Sequence, residues 1–381
     1  MTRMSLRRPR LSLREKLGQV SWGLVLLLCL TASLGFAMLY SAANGSYDPW
    51  AWRQMMRFAV GLGLMFGIAL IDVRVWLHSA YAIYAAALAL LVAVELTGSY
   101  GLGAQRWVDV KLFHFQPSEV MKIALVLALA RYFHWLSLEE VRRPLSLVVP
   151  AALVLAPAAL VLRQPDLGTA ILLVMGGGVL FVLAGVRLWQ MGGALVVGLA
   201  AIPVGWEFMH AYQRERILTF LNPERDPLGA GYHILQSKIA LGSGGIFGKG
   251  FLAGSQSHLN FLPEKQTDFI FTMLAEEFGL VGTLALLVLY GLILVYGVGM
   301  SVRAASQFGR LLGMGVTTTF FLYVFINIAM VTGLIPVVGV PLPLISYGGT
   351  AMMTILISFG FLMSVWIHRN VRIPRRAAAA A

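Results

Sequence analysis

The feature that most constrains this chain is the recurrence of apolar runs near 20 residues long, from one end to the other. A helix needs about 20 apolar residues to cross a bilayer core. In lipid every backbone N–H and C=O must be satisfied within the protein, so such runs cross as helices. With 59% hydrophobic and only 12% charged residues, the chain reads as an all-α polytopic membrane protein rather than a soluble domain with a large core. Windowing predicts ten spans, at residues 19–41, 54–71, 77–97, 118–135, 146–162, 169–185, 188–208, 267–299, 310–333 and 347–367. The eighth is long enough to tilt strongly or to project from the membrane. The first run is too long, and too lacking in a cleavable end, for a signal peptide, and is expected to be retained.

Orientation follows from the bias of Lys and Arg toward the cytoplasmic side. Arg3, Arg7, Arg8, Arg10, Arg14 and Lys16 precede the first span, and Arg74, Arg131, Arg142, Arg143, Arg187, Arg303, Arg310, Arg369, Arg372, Arg375 and Arg376 fall on the same side. Both termini are therefore expected in the cytoplasm. The organisation predicted is a basic tail (1–18), one ten-span membrane domain (19–368) and a second cytoplasmic tail (369–381). The net charge of +12 is explained by this inside-positive signal and by attraction to anionic lipid, so nucleic-acid binding is not expected. The one cysteine, Cys29, lies in the first span, which excludes an intrachain disulfide and a cysteine-built metal site.

Two outward segments are long. One is 98–117; the other, 211–267, joins the seventh and eighth spans and holds enough aromatic residues to be ordered. Within it, Tyr232–Leu241 can form a short helix lying on the membrane surface. The glycine-rich stretch 242–251 does not meet the spacing of a nucleotide-binding P-loop, but a tight turn there could offer backbone N–H groups to an anionic headgroup.

An ionisable side chain in or near a bilayer core is costly and usually functional. Asp268 is the foremost example: it stands where the long outer segment runs into the eighth span. It can N-cap that helix, pair with Lys265 or a loop arginine, or act as a general base whose pKa is raised by partial burial. Glu276 and Glu277 follow and read as structural. Glu119 and Lys122, spaced i, i+3 at the outer end of the fourth span, share a helix face. They read as a buried ion pair, as the wall of a substrate cavity, or both. Asp166 precedes the sixth span, where an aspartate most often caps, though its closeness to Arg163 and the outer face also makes it a candidate substrate-binding residue. Arg214 and Arg216, with Lys238, Lys249 and Lys265, make the long loop cationic and suited to a lipid pyrophosphate. Arg106 and Trp107 combine a cation with an aromatic that either anchors at the interface or stacks on a sugar. His233 and His258 have no companion at metal-ligand spacing.

Taken in order, the motifs GAQRW (103–107), QPSEVMK (116–122), QPDLGTA (164–170), NPERDPLGAGYHILQSKIALGSGGIFGKGF (222–251), FLPEKQTDFIF (261–271), EEFGLVG (276–282) and GLIPVVGVPLPLISYGGT (333–350) resemble those of the SEDS family. These are the bacterial shape, elongation, division and sporulation proteins, and the resemblance is nearer to the elongation member than to the division member. It implies a peptidoglycan glycosyltransferase of the bacterial cytoplasmic membrane that polymerises lipid II on the outer face during cell elongation. It places the family's essential aspartate on Asp268, its buried acid and lysine on Glu119 and Lys122, its loop arginine on Arg216 and its outer tryptophan on Trp107. It also implies a class B penicillin-binding transpeptidase as partner, within the elongation machinery. On this view Asp268 deprotonates the 4-hydroxyl of one sugar as it attacks the anomeric carbon of another, with inversion. Arg216, Lys122 and Arg106 then meet the charge growing on the polyprenyl pyrophosphate. A divalent cation could assist that pyrophosphate, although no dedicated metal cage is visible in the sequence. The competing readings are a lipid II flippase without chemistry and a scaffold for other wall enzymes.

Overall fold

A computed structural model describes residues 12–97, 99–101, 104–110, 113–208, 211–222, 230–259, 261–262 and 264–374. Among the described residues the chain is helical apart from one small sheet. It opens with α1 (Leu13–Gly18), α2 (Trp22–Ala42), α3 (Ala51–Leu70) and α4 (Val73–Thr97). The segment after α4 then forms β1 (Ser99–Gly101), β2 (Ala104–Val110) and β3 (Phe113–Phe115). These pair antiparallel in that order, with Tyr100 opposite Gln105 and Val108 opposite Phe115. Next come α5 (Pro117–Trp135), α6 (Leu138–Val141), α7 (Val148–Arg163), α8 (Leu167–Ala184), α9 (Leu188–Ala200) and α10 (Ile202–Phe208). The second long segment contains α11 (Ala211–Leu221), α12 (Ala230–Ser243) and α13 (Ser255–His258), and the last three helices are α14 (Ile270–Val302), α15 (Gln307–Val331) and α16 (Gly349–Ile367).

Among the described residues, seven helical stretches are long and apolar enough to cross a membrane: α2, α4, Pro144–Arg163 ending in α7, α8, α14, α15 and α16. The second, fourth and seventh expected spans fall on α3, α5 and α9 with α10. The first two reach 20 and 19 residues but carry Arg53 and Arg57, or Glu119, Lys122 and Arg131. α9 is apolar but only 13 residues long.

Burial sorts the helices into layers. α15 and α16 have 67% and 72% of their spanning windows inside the protein, against 22% for α14. α5 is buried on every side, from Pro117 to His134, which explains why its sequence shows no apolar stripe. Small residues let the inner helices approach: Gly297 of α14 meets Thr317 of α15, and Gly313 of α15 meets Ser301 of α14. Close packing through such residues replaces the hydrophobic drive that is missing between helices in lipid.

The two ends of the bundle gather different residues. At one end Lys16 donates to the Leu70 carbonyl, Ser364 to the Ile71 carbonyl, and the Ala305 amide to the Arg369 carbonyl. At the other end lie Gln54, Ser346, Asp268, Asn44 and His258, joined by the contacts described below.

Candidate active site

Asp268 is half-buried in the turn that leads into α14. The first helical residue is Ile270 and the N-cap position is Phe269, so Asp268 stands one residue ahead of the cap position. The backbone around Asp268 is held from across the fold. Gln266, Thr267 and Asp268 each present a carbonyl, and each carbonyl accepts a hydrogen bond. The donors are the Tyr347 amide (2.8 Å), Ser346 Oγ (2.6 Å) and Asn327 Nδ2 (3.0 Å). Asn327 also donates to the Val340 carbonyl at 2.7 Å. Gln54 of α3 donates to the Ser346 carbonyl at 2.9 Å and accepts from the Gly348 amide. The loop 333–348 therefore straps the aspartate turn to α3, α15 and α16. A Cβ built on Gly339 would lie 3.6 Å from Asp268 Oδ2, so this loop runs directly past the carboxylate. Nearby, the Arg57 guanidinium lies 5.0 Å from the Tyr347 ring centroid.

Glu119 and Lys122 come together as the spacing predicts, with Nζ and Oε1 2.6 Å apart. Both are buried. The structure adds a third member, Tyr323 of α15. It donates to Glu119 Oε2 at 2.8 Å and contacts Lys122 Nζ at hydrogen-bond range. Small cavities flank Tyr323. One is lined by Pro341–Leu344, Ser346 and Met352, and the other by Lys122, Val126, Thr319, Thr354 and Ser358. The pair is thus a buried ion pair, and Lys122 also lines one of these small cavities. Tyr323 and Asn327 are four residues apart, hence on one face of α15 about one turn, or roughly 6 Å, apart. A single helical turn thus joins the charged triad to the strap around Asp268.

Asp166 is buried and caps α8. Its Oδ1 accepts from the Thr169 amide at 3.1 Å, and its Oδ2 from Thr169 Oγ1 at 2.9 Å and Gln116 Nε2 at 3.2 Å. The cap thereby ties the start of α8 to the residue preceding α5. Arg106 and Trp107 lie on β2 and Arg216 on α11, but their side chains fall outside the described residues. Most of the remaining loop cations have structural partners. Arg214 donates to the Trp206 and Glu207 carbonyls. Lys249 pairs with Glu276 at 2.7 Å. Lys265 is buried, donates to the Ser257 carbonyl at 2.8 Å, and has its pKa lowered by that burial. Lys238 is exposed on α12.

The two glutamates of α14 are structural, in line with the sequence reading. Glu276, fully buried, accepts from Lys249 Nζ, Ser255 Oγ, the amides of Gln256 and Ser257, and Ser257 Oγ. Glu277 accepts from Ser41 Oγ at 2.5 Å and lies 3.3 Å from His258 Nε2, whose Nδ1 meets Asn44 Oδ1 at 2.6 Å. Between the glutamates and the glycine stretch the backbones interlock. The amides of Lys249 and Gly250 donate to the carbonyls of Glu276 and Glu277, while those of Leu280 and Val281 donate to Gly245 and Ile246. α14 breaks at Gly279 (φ 64°, ψ −157°) to allow this. A side chain there would overlap the Gly248 nitrogen. The Lys249 and Gly250 amides are thus committed to α14 and are not an open cradle for a headgroup. The helix expected at 232–241 is present as α12. It packs on α14 through Ser237, which meets Thr272 and the Val331 carbonyl.

Sequence reasoning missed Asn327, Ser346, Gln54 and Tyr323. The available signal was weak: a lone polar residue in an apolar helix, such as Asn327 among 320–331, marks a functional or packing role without naming its partner. Among the described residues, no three histidine, cysteine or acidic side chains gather as a metal site.

A family model described as "Cell cycle protein", covering FtsW, RodA and SpoVE, matches residues 21–371; the chain belongs to that family. Among its relatives is the peptidoglycan glycosyltransferase MrdB of Escherichia coli strain K12, 47% identical over 351 residues, covering 91% of this chain and 94% of the relative. The peptidoglycan glycosyltransferase RodA of Treponema pallidum is 32% identical, covering 90% of this chain and 96% of its own. Among solved structures, a chain of a peptidoglycan synthase complex that coordinates polymerization and crosslinking superposes with a TM-score of 0.79 at 35% identity, covering 92% of this chain and 98% of that one. The rod shape determining protein RodA of Thermus thermophilus gives 0.70 at 30% identity, covering 92% and 98%.

Proposed function

We propose that this chain is a peptidoglycan glycosyltransferase of the elongation type, a multi-pass protein of the bacterial inner membrane, and that Asp268 is its general base. The activity rests on one observation above the others: 47% identity to a peptidoglycan glycosyltransferase over 91% of the chain. The substrate is lipid II. The acceptor hydroxyl attacks the anomeric carbon of the donor, and its proton passes to the Asp268 carboxylate. The bond to polyprenyl pyrophosphate breaks, and that group leaves with the electron pair. A carboxylate held by its backbone, with a glycine-bearing loop beside it, is pre-aimed for such a transfer. Arg106 and Arg216, on the outer segments, are assigned to the pyrophosphate, and Trp107 to the sugar. Lys122 adds positive charge from below, tempered by Glu119. Asp166 contributes by fixing the outer end of α8 against α5.

One membrane domain over 19–368 with ten spans and both termini in the cytoplasm agrees with the division of the bundle into two ends. α3, α5 and the α9–α10 pair are assigned as the second, fourth and seventh spans, and 211–267 as the outer loop between the seventh and eighth. The partner is a class B penicillin-binding transpeptidase that crosslinks the new glycan.

The deciding experiment gives purified protein labelled lipid II. Polymer is expected from the wild type and none from Asp268→Asn. Lipid crossing the bilayer with no polymer from either protein would instead establish a flippase.

A further inference from the structure

We infer that Ser346 and Asn327 are positioning residues for the transfer, acting through a clamp on three consecutive carbonyls that sets the aim of Asp268. The inference rests on the reading of Asp268 as base. The clamp is unusual in what it grips. It takes the backbone of Gln266, Thr267 and Asp268, with one donor for each carbonyl, and the donors come from two separate elements: the loop at Ser346 and Tyr347, and α15 at Asn327. A turn held at three successive peptides has little freedom in φ and ψ, so the carboxylate that grows from it inherits a fixed direction. Each donor is itself anchored. Ser346 Oγ accepts from the Leu342 amide at 2.7 Å, and the Ser346 carbonyl accepts from Gln54. Asn327, fully buried, divides its amide hydrogens between the Asp268 and Val340 carbonyls. Its Oδ1 has no hydrogen-bond partner among the described residues. An uncompensated buried carbonyl is costly, so the site keeps Asn327 for its two donors. Those donors tie the Asp268 turn and the passing loop at Val340 to one point on α15.

A misplacement of about 1 Å in a reacting group costs up to about 100-fold in rate. The test therefore compares Ser346→Ala, Ser346→Thr and Asn327→Ala with the wild type and Asp268→Asn, in proteoliposomes supplied with lipid II, with rates normalised to folded protein. Ser346→Ala and Asn327→Ala are expected to lower kcat by about 10- to 100-fold while KM moves less than about twofold, because the substrate contacts remain. Ser346→Thr keeps the hydroxyl and is expected to restore kcat. A merely structural serine would show neither the split between kcat and KM nor the rescue. Should Asn327→Ala not fold, Ser346→Ala carries the same test with a smaller change. Wild-type kcat in Ser346→Ala, or a Thr variant as slow as the Ala variant, overturns the clamp. If that happens while Asp268→Asn is inactive, only the clamp falls. If Asp268→Asn polymerises normally, the base reading falls and takes the clamp with it.

Discussion

Removing Lys122 offers a sharp test of how the interior is held together. The side chains of Lys122 and Glu119 are 3% and 6% exposed, and their charged atoms are 2.6 Å apart. Taking away one partner of so deeply buried a pair leaves a bare charge and costs about 3–5 kcal/mol. In Lys122→Met the Glu119 carboxylate keeps only the Tyr323 hydroxyl on Oε2, and the full penalty is expected. Replacing both partners with apolar residues, as in Lys122→Met with Glu119→Leu, removes the penalty, since a well-packed apolar pair is often as stable as the ion pair. The double variant should therefore be more stable than either single one. Reversible unfolding of the purified protein in mixed micelles, followed by near-UV circular dichroism, supplies the four stabilities of the cycle. Tyr323→Phe extends it: loss of the phenol leaves Glu119 one donor short, at about 1–3 kcal/mol. Additivity of the two single substitutions within about 0.5 kcal/mol, the behaviour of independent sites, would refute the coupled triad.

Other expectations follow from the segment between α10 and α14. Gly248 has φ +80°, and a Cβ there would lie 2.1 Å from the Glu277 carbonyl oxygen. Gly248→Ala should lose at least about 1–3 kcal/mol from the backbone strain alone, whereas Gly242→Ala, which meets open space, should unfold at the wild-type temperature or above; equal midpoints for the two would count against the interlocked loop. Burial lowers the pKa of Lys265 from 10.5, so between the lowered value and 10.5 the unfolded chain binds more protons than the folded one. Stability must therefore rise with pH across that window, and Lys265→Met should flatten the rise; an unchanged slope would remove Lys265 as its source.

Much of this architecture was legible in local sequence, because the information needed there is local. Apolar runs of bilayer length specify helices. The i, i+3 spacing put Glu119 beside Lys122, an aspartate ahead of α8 turned out to be its cap, and the break in composition before α14 singled out Asp268. What the sequence left open concerns partners far apart along the chain. Tyr323 lies 201 residues from Lys122, Ser346 lies 79 from Thr267, and Asn327 lies 59 from Asp268. A tyrosine, a serine or an asparagine in an apolar run looks alike whether it faces a neighbouring helix, its own backbone or a catalytic turn. Where Asp268 stands relative to α14 was likewise undecided by the sequence: the helix starts at Ile270, one residue later than an N-cap at Asp268 would require. The glycine stretch shows the same limit: its composition predicted a turn, but only the break at Gly279 revealed that α14 itself closes around it. Helix formation and capping are set by neighbours within about one turn. The site is set by which helices pack together, and that is decided only when the whole bundle assembles.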